Sequence, residues 1–186
     1  MLVGLPIELV GLDSFPGVAE VKEDGATFED NAAKKASCIR DETGLATLAD
    51  DSGLEVEALQ GRPGILSARF AGERATHAEN NEKLLGLLAG LPREQRRARF
   101  VCVAALAVPD RRLVLRRGEI EGFIAEQPSG HGGFGYDPIF CVPEFGRTIA
   151  ELDDATKNRI SHRAKAFREI AQVLREELAG GRGKMT

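Results

Sequence analysis

Cysteine is scarce: Cys38, Cys102 and Cys141 are widely spaced, odd in number, and form no C-x-x-C pair. That spacing offers neither a zinc ribbon nor a dithiol redox motif, and free thiols in a reducing compartment are the simpler reading. Positive charge is not in excess either. The 25 Lys plus Arg against 29 Asp plus Glu leave a net −4, so no global field draws the chain to nucleic acid or to an anionic membrane. A polyanionic ligand has to be gripped by a local site. Long apolar runs are also missing: Val101 to Pro109 is the longest such stretch, well short of the roughly 20 residues that a membrane-spanning helix takes. The opening Met1-Leu-Val-Gly-Leu-Pro-Ile-Glu has no basic segment before its apolar residues and no small-residue cleavage site, a poor match to a secretory signal. A cytoplasmic protein is expected.

What is present suits one globular domain or two closely packed lobes: 186 residues, 42% hydrophobic and 29% charged, with no repeat and no long linker. From Thr27, the stretch TFEDNAAKKASCIRDETG reads as a helix capped by Thr27 and Asp30 and stopped at Gly44. The short apolar run LATLAD then has strand length. It places Asp50 and Asp51 where a strand is expected to give way to a loop at Ser52-Gly53. Leu54 to Leu59 alternates as a second strand before Gly61-Arg-Pro63-Gly64 breaks it. Thr76 to Glu79 is a capping box opening an amphipathic helix that stops near Gly90. Arg99 to Val108 and Leu113 to Ala125 read as a long antiparallel hairpin, and a last helix runs from Ser161 to Leu178 before a tail with the composition of a frayed end. Strands and helices intermix, so the expected class is α/β with a mixed sheet.

Three constellations can carry chemistry. In Asp50-Asp51-Ser52-Gly53 adjacent carboxylates repel unless a cation or hydrogen bonds compensate; Mg²⁺ suits hard oxygen ligands, and a solvated turn is the plainer alternative. Gly130 to Pro138 contains G-x-G-x-x-G, but Tyr136-Asp137-Pro138 cannot open the helix that a dinucleotide site needs. What is left is a glycine loop bearing Phe134 and the single tyrosine, Tyr136. Its aromatics either stack on a flat base or plug the core. In Lys157-Asn-Arg-Ile-Ser161-His162-Arg163 two basic groups sit in the first turn of a helix. They are unfavourable there unless an anion or polar ligand is bound, or they are ordinary surface charge. His77 and His131 carry no such context and read as surface residues. Ser52 lies outside G-x-S-x-G and no cysteine has a histidine partner by motif, so direct attack by water is simpler than a covalent nucleophile.

Taken in order, TFEDNAAKKA, LADDSGLEVEALQGRPGILSARFAG, GGFGYDPIF and KNRISHRAKAF resemble the successive motifs of the inosine/xanthosine triphosphate pyrophosphatase family, from about Gly25 to Leu178. The resemblance implies an elongated α/β fold, a mixed sheet with flanking helices and two lobes around a nucleotide cleft, residues 1–186 forming that single two-lobed domain, usually assembled as a homodimer. It implies Mg²⁺-dependent hydrolysis of ITP, dITP and XTP to the monophosphate and pyrophosphate. On that reading Asp51 is the general base, with Asp51, Asp50 and Glu23 around Mg²⁺. Lys35, Ser52 and Arg69 face phosphate or ribose. Phe134, Gly135, Tyr136 and Asp137 form the base loop, Phe134 stacking on the purine, and Lys157, His162 and Arg163 select a 6-keto purine.

Two features depart from the family pattern. Asp30 stands where the family usually has Glu. The family's opening strand, its Thr/Ser-x-Asn-x-x-Lys loop and the following helix are absent from this sequence, which begins near the expected second strand, Ile7 to Val10. A late start codon, a trimmed front end and a naturally shortened protein are the alternatives. The expectation is a family core that hydrolyses ITP weakly, or a nucleotide-binding or dimerising protein that has lost catalysis.

Overall fold

The computed structural model describes residues 4–181. In chain order the helices and strands are α1 (Phe28–Thr43), β1 (Thr47–Val56), β2 (Pro63–Gly64), α2 (His77–Leu87), β3 (Arg97–Ala107), β4 (Val114–Ile124), β5 (Phe140–Val142), β6 (Arg147–Thr148), α3 (Asp154–Ile160) and α4 (His162–Gly181), joined in places by single 3₁₀ turns. Among the described residues the strands form one sheet in the order β2-β1-β3-β4-β5-β6. The β1–β2, β4–β5 and β5–β6 pairs are antiparallel. The fold is α/β, as expected. No helix among the described residues is long and apolar enough to cross a membrane.

Local chemistry explains the helix ends. Thr27 Oγ1 accepts from Asp30 N–H at 3.0 Å while Asp30 Oδ2 accepts from Thr27 N–H at 3.1 Å, so the shorter aspartate still closes the capping box that opens α1. Gly44, at φ 69°, supplies the left-handed stop. Thr76 and Glu79 close the same box on α2.

Four expectations need correction. Asp50 and Asp51 lie inside β1, which runs unbroken from Thr47 to Val56 because Ser52 and Gly53 remain extended and paired in the sheet. The strand expected to reach Leu59 stops at Val56. Residues 57–59 form a 3₁₀ turn, the left-handed Gln60 and Gly61 reverse the chain, and Pro63–Gly64 pairs back onto Glu55 and Leu54. Ile7 to Val10 is not a strand: Leu9 and Val10 are exposed, and an extended segment without an adjacent strand has no ladder to join. Finally, α4 continues to Gly181 and is preceded by α3, whose cap Asp153 accepts from Thr156 N–H at 2.8 Å. Of the tail expected to fray, residues 182–186 lie outside the described residues, as do residues 1–3 of the opening segment.

The chain gathers into two compact units: one takes residues 1–51, 102–118 and 163–186, the other 52–101 and 119–162. In the first, Ala166 and Ile170 of α4 pack on Cys102, Ala104 and Leu106 of β3. Those strand residues alternate, so they line one face, and successive residues of β1 likewise serve opposite faces. Asp50 meets Arg163 of α4 whereas Asp51 meets Asn31 and Lys35 of α1. The two helices therefore cover opposite faces of β1 in this unit. In the second unit Leu54, Val56, Leu84, Leu88, Phe100, Tyr136 and Phe140 belong to one buried cluster.

Arg96 ties that second cluster together. It is 3% exposed, and its guanidinium donates to the carbonyls of Leu88 at 2.7 Å, Ile124 at 2.7 Å and Ala125 at 2.6 Å. Leu88 is the C-cap of α2, so the cation also meets the negative end of that helix. Arg96→Met keeps much of the volume but strands the three carbonyls. It should lower the unfolding free energy by roughly 2–4 kcal/mol, read as a shift in the urea midpoint; an unchanged midpoint would show that water replaces the guanidinium without loss.

Candidate active site

Asp51 is 8% exposed, at the middle of β1. Burial of an ionised carboxylate is costly unless donors surround it. Asn31 Nδ2 donates to Oδ2 at 3.1 Å, and Lys35 Nζ donates to Oδ1 at 3.3 Å and to Glu23 Oε1 at 2.6 Å. Asn31 and Lys35 stand four residues apart on α1, hence on one helix face. Asn31 is itself held, its Oδ1 accepting from Gly25 N–H at 2.8 Å. A Cβ at Gly25 would fall 2.7 Å from that oxygen, so this close approach requires glycine.

The same burial pushes the Asp51 carboxyl above its ordinary value; the Asn31 and Lys35 donors pull it back, and the Glu23 charge raises it. For Lys35, burial works to lower the value, but the Glu23 hydrogen bond and the Asp51 and Glu23 charges prevail and hold it up. Lys35 thus remains an ammonium, and Asp51 is a more basic carboxylate than an exposed aspartate.

Asp50 faces the other way. Its Oδ2 accepts from Arg163 Nη2 at 3.0 Å and Nε at 3.2 Å, and the Cys102 thiol approaches to 3.6 Å. Glu23, Asp50 and Asp51 do not form the expected three-carboxylate set: among the described residues no group of three or more His, Cys, Asp or Glu side chains is gathered for a metal ion. Consecutive strand residues cannot share a face. Glu23 and Asp51 are the pair of hard oxygen ligands brought together, bridged by Lys35.

The second unit holds the aromatic loop, which lacks the preceding strand and following helix of a dinucleotide fingerprint. Its two aromatics divide the alternatives. Phe134 is 57% exposed, whereas Tyr136 is buried and donates its hydroxyl to the Ser67 carbonyl at 2.9 Å, burial pushing its ionisation up. Asp137 Oδ2 accepts from Phe134 N–H at 3.1 Å and Lys157 Nζ at 2.5 Å, and Lys157 lies 5.3 Å from the Phe134 ring centroid. Gly133, at φ 76°, passes so close that a Cβ would meet both Asp137 and Lys157. His162 stacks on Phe100 with centroids 4.9 Å apart and planes 11° from parallel. Ser52 is half-buried in β1, and Arg69 lies in the 3₁₀ turn Ser67–Arg69.

Sequence reasoning missed Asn31, Phe100 and Asn81; His77 is exposed, as expected, with the Phe134 ring as a neighbour. Asn31 was legible in principle, since it precedes Lys35 by one helical turn. Asn81, whose Nδ2 donates to the Gly135 carbonyl at 3.1 Å, and His77, whose ring lies 6.4 Å from that of Phe134, come from a helix distant in sequence. No local pattern announces such contacts. A groove of about 750 Å³ in the second unit lies elsewhere; Arg93, Arg97, Arg99, Glu55 and Glu121 line it, and none of the expected site residues does.

The raised Asp51 value carries a definite sign. The folded chain holds this proton more tightly than the unfolded chain, so the contribution favours folding below the ordinary carboxylate range and is lost as pH rises through the folded value. In metal-free buffer, the stability of the wild type minus that of Asp51→Asn should fall over the pH interval that starts in the ordinary carboxylate range and runs upward from it, measured by denaturant titration at each pH. A difference that grows over that interval would place Asp51 among ordinary salt-bridged carboxylates.

The sequence profile of the Ham1 family matches residues 1–173. A dITP/XTP pyrophosphatase of Desulforamulus reducens is 53% identical over 167 residues, 90% of this chain and 83% of that protein. One of Geobacillus kaustophilus is 48% identical over 178 residues, 96% of this chain and 87% of that protein. Among solved structures, a Ham1 protein from Coxiella burnetii superposes with a TM-score of 0.88 at 44% identity, covering 94% of this chain and 90% of that one. With a family match over most of its length and relatives near half identical, the chain belongs to the Ham1 family.

Proposed function

We propose that this chain hydrolyses deaminated purine nucleoside triphosphates, ITP, dITP and XTP, to the monophosphate and pyrophosphate. The observation that carries the reading is the buried Asp51 held by Asn31 and Lys35, with Lys35 held in turn by Glu23. A basic carboxylate fixed at one oxygen by an amide is suited to take a proton from water. The water oxygen attacks the α-phosphorus, its proton passes to Asp51, and the bond from that phosphorus to the bridging oxygen breaks to release pyrophosphate. Lys35 brings positive charge to the phosphates as charge develops on the leaving group. Glu23 and Asp51 are the residues that would hold Mg²⁺, a hard ion served by one or two carboxylates together with substrate phosphates. Bound there, the ion would neutralise phosphate charge and lower the pKa of water.

Base recognition falls to the second unit. Phe134 offers an exposed ring for stacking, and its loop is anchored through Asp137, Lys157 and the buried Tyr136. The donors of Lys157 and His162 suit a 6-keto oxygen and leave a 6-amino group without an acceptor. Asp50 then acts by fixing the Arg163 guanidinium rather than by binding metal. We further propose a homodimer. This follows the resemblance to a family usually assembled as a homodimer, and closed two-fold dimers are the commonest assemblies of soluble proteins. The free thiols of Cys38, Cys102 and Cys141 support a reducing cytoplasm as its location.

Pyrophosphate release from ITP with Mg²⁺, with ATP as control, tests the activity. Asp51→Asn should lose roughly 10²–10⁴ in kcat while keeping its far-UV CD spectrum; retention of full turnover would remove Asp51 from the role of base. Light scattering after gel filtration should report twice the chain mass, and a monomer at all concentrations would exclude the dimer.

A further inference from the structure

Residues 65–76 contain a single 3₁₀ turn and no longer helix or strand, yet the backbone around Arg69 is tied down on both sides. Asn80 of α2, 2% exposed, accepts at Oδ1 from Ala71 N–H at 2.7 Å and donates from Nδ2 to the Ala68 carbonyl at 3.0 Å. One end of its amide meets a donor and the other an acceptor, so its orientation has a single solution. Three residues on, and on the same helix face, Lys83 donates to the Phe70 carbonyl at 2.6 Å and lies 4.6 Å from the Phe70 ring centroid. Before Arg69, Ser67 Oγ accepts from Leu54 N–H at 2.8 Å and donates to the Gly64 carbonyl at 2.6 Å. Its own carbonyl accepts from Tyr136.

We propose that Asn80 and Lys83 are positioning residues for Arg69. Together they clamp the turn from Ala68 to Ala71 onto α2, so that the Arg69 guanidinium is aimed at the phosphate or ribose of the substrate before it binds. The proposal deepens the nucleotide reading above and rests on it. Arg69 Nε lies 3.7 Å from Glu73 Oε1, and both residues are carried by the same short segment, so the direction of the guanidinium depends on how that segment's backbone is held. Ordering it only when substrate arrives would weaken binding. Bonds at residues 68, 70 and 71 do that ordering in advance. Neither Asn80 nor Lys83 needs to touch the nucleotide for this effect, which passes through Arg69.

A double-mutant cycle tests this on pyrophosphate release from ITP with Mg²⁺. Lys83 is exposed, so Lys83→Met should fold whatever becomes of a change at the buried Asn80. It is expected to raise KM about three- to tenfold with kcat within about twofold, coupling typical of residues that share a contact. Lys83→Arg, which keeps a donor and a cation, should restore most of the loss. Asn80→Asp, which loses the donor to Ala68, should move KM in the same direction. In an Arg69→Ala background Lys83→Met should add no further loss. An unchanged KM for Lys83→Met, or losses that multiply in the double variant, overturns the inference and leaves ITP hydrolysis standing. A wild-type chain that releases no pyrophosphate from ITP overturns the hydrolase reading instead, and the inference with it.

Discussion

A carboxylate with a tenth of its side chain exposed can remain useful as a base only if donors replace the water it has lost, and Asp51 imposes that demand on its whole unit. The donors come from α1: Asn31 and Lys35, one turn apart, set which face of that helix lies toward β1. Asn31 in turn needs the Gly25 amide, and only a glycine lets the chain come that near. Lys35 needs Glu23 as well as Asp51 to remain charged where it is half-buried. The segment before α1, the helix itself and the middle of the strand are thus bound by one electrostatic requirement.

Pleating gives the second constraint. Because Asp50 and Asp51 are consecutive in an extended strand, they cannot serve one centre. One meets α1 and is left more basic than an exposed aspartate. The other meets α4 and holds a guanidinium. Two like charges that would repel in a turn are each given an opposite partner on a different face, which removes the instability that made the dipeptide conspicuous. In the second unit the comparable device is Asp137. It accepts from the Phe134 amide and from Lys157 with one oxygen, and so keeps the aromatic ring outward while Tyr136 anchors the loop in the core.

Much of this was readable in advance wherever the interaction is local. Capping boxes involve residues three apart, and both formed as read, even with aspartate in place of glutamate at Asp30. The proline three residues beyond the last glycine of the G-x-G-x-x-G match, in Tyr136-Asp137-Pro138, cannot open the helix of a dinucleotide site, and no helix follows there. The turn imagined at Ser52-Gly53 did not form, since sheet pairing outweighs the weak turn preference of those two residues. Ile7 to Val10 has the composition of a strand, but a strand exists only when a neighbour completes its hydrogen bonds.

The sequence by itself determined the capped starts of α1 and α2, the class of the fold, the family, and the set of residues with chemistry to offer, because each depends on neighbours along the chain or on ordered motifs. Only the tertiary structure decided how those residues are shared out: Asp50 to Arg163, Asp51 to Asn31 and Lys35, Phe134 to solvent and Tyr136 to the core, and the turn bearing Arg69 to Asn80 and Lys83. Such pairings depend on which strand face a side chain occupies and on what packs over it. That is a property of the folded sheet, and spacing in sequence does not encode it.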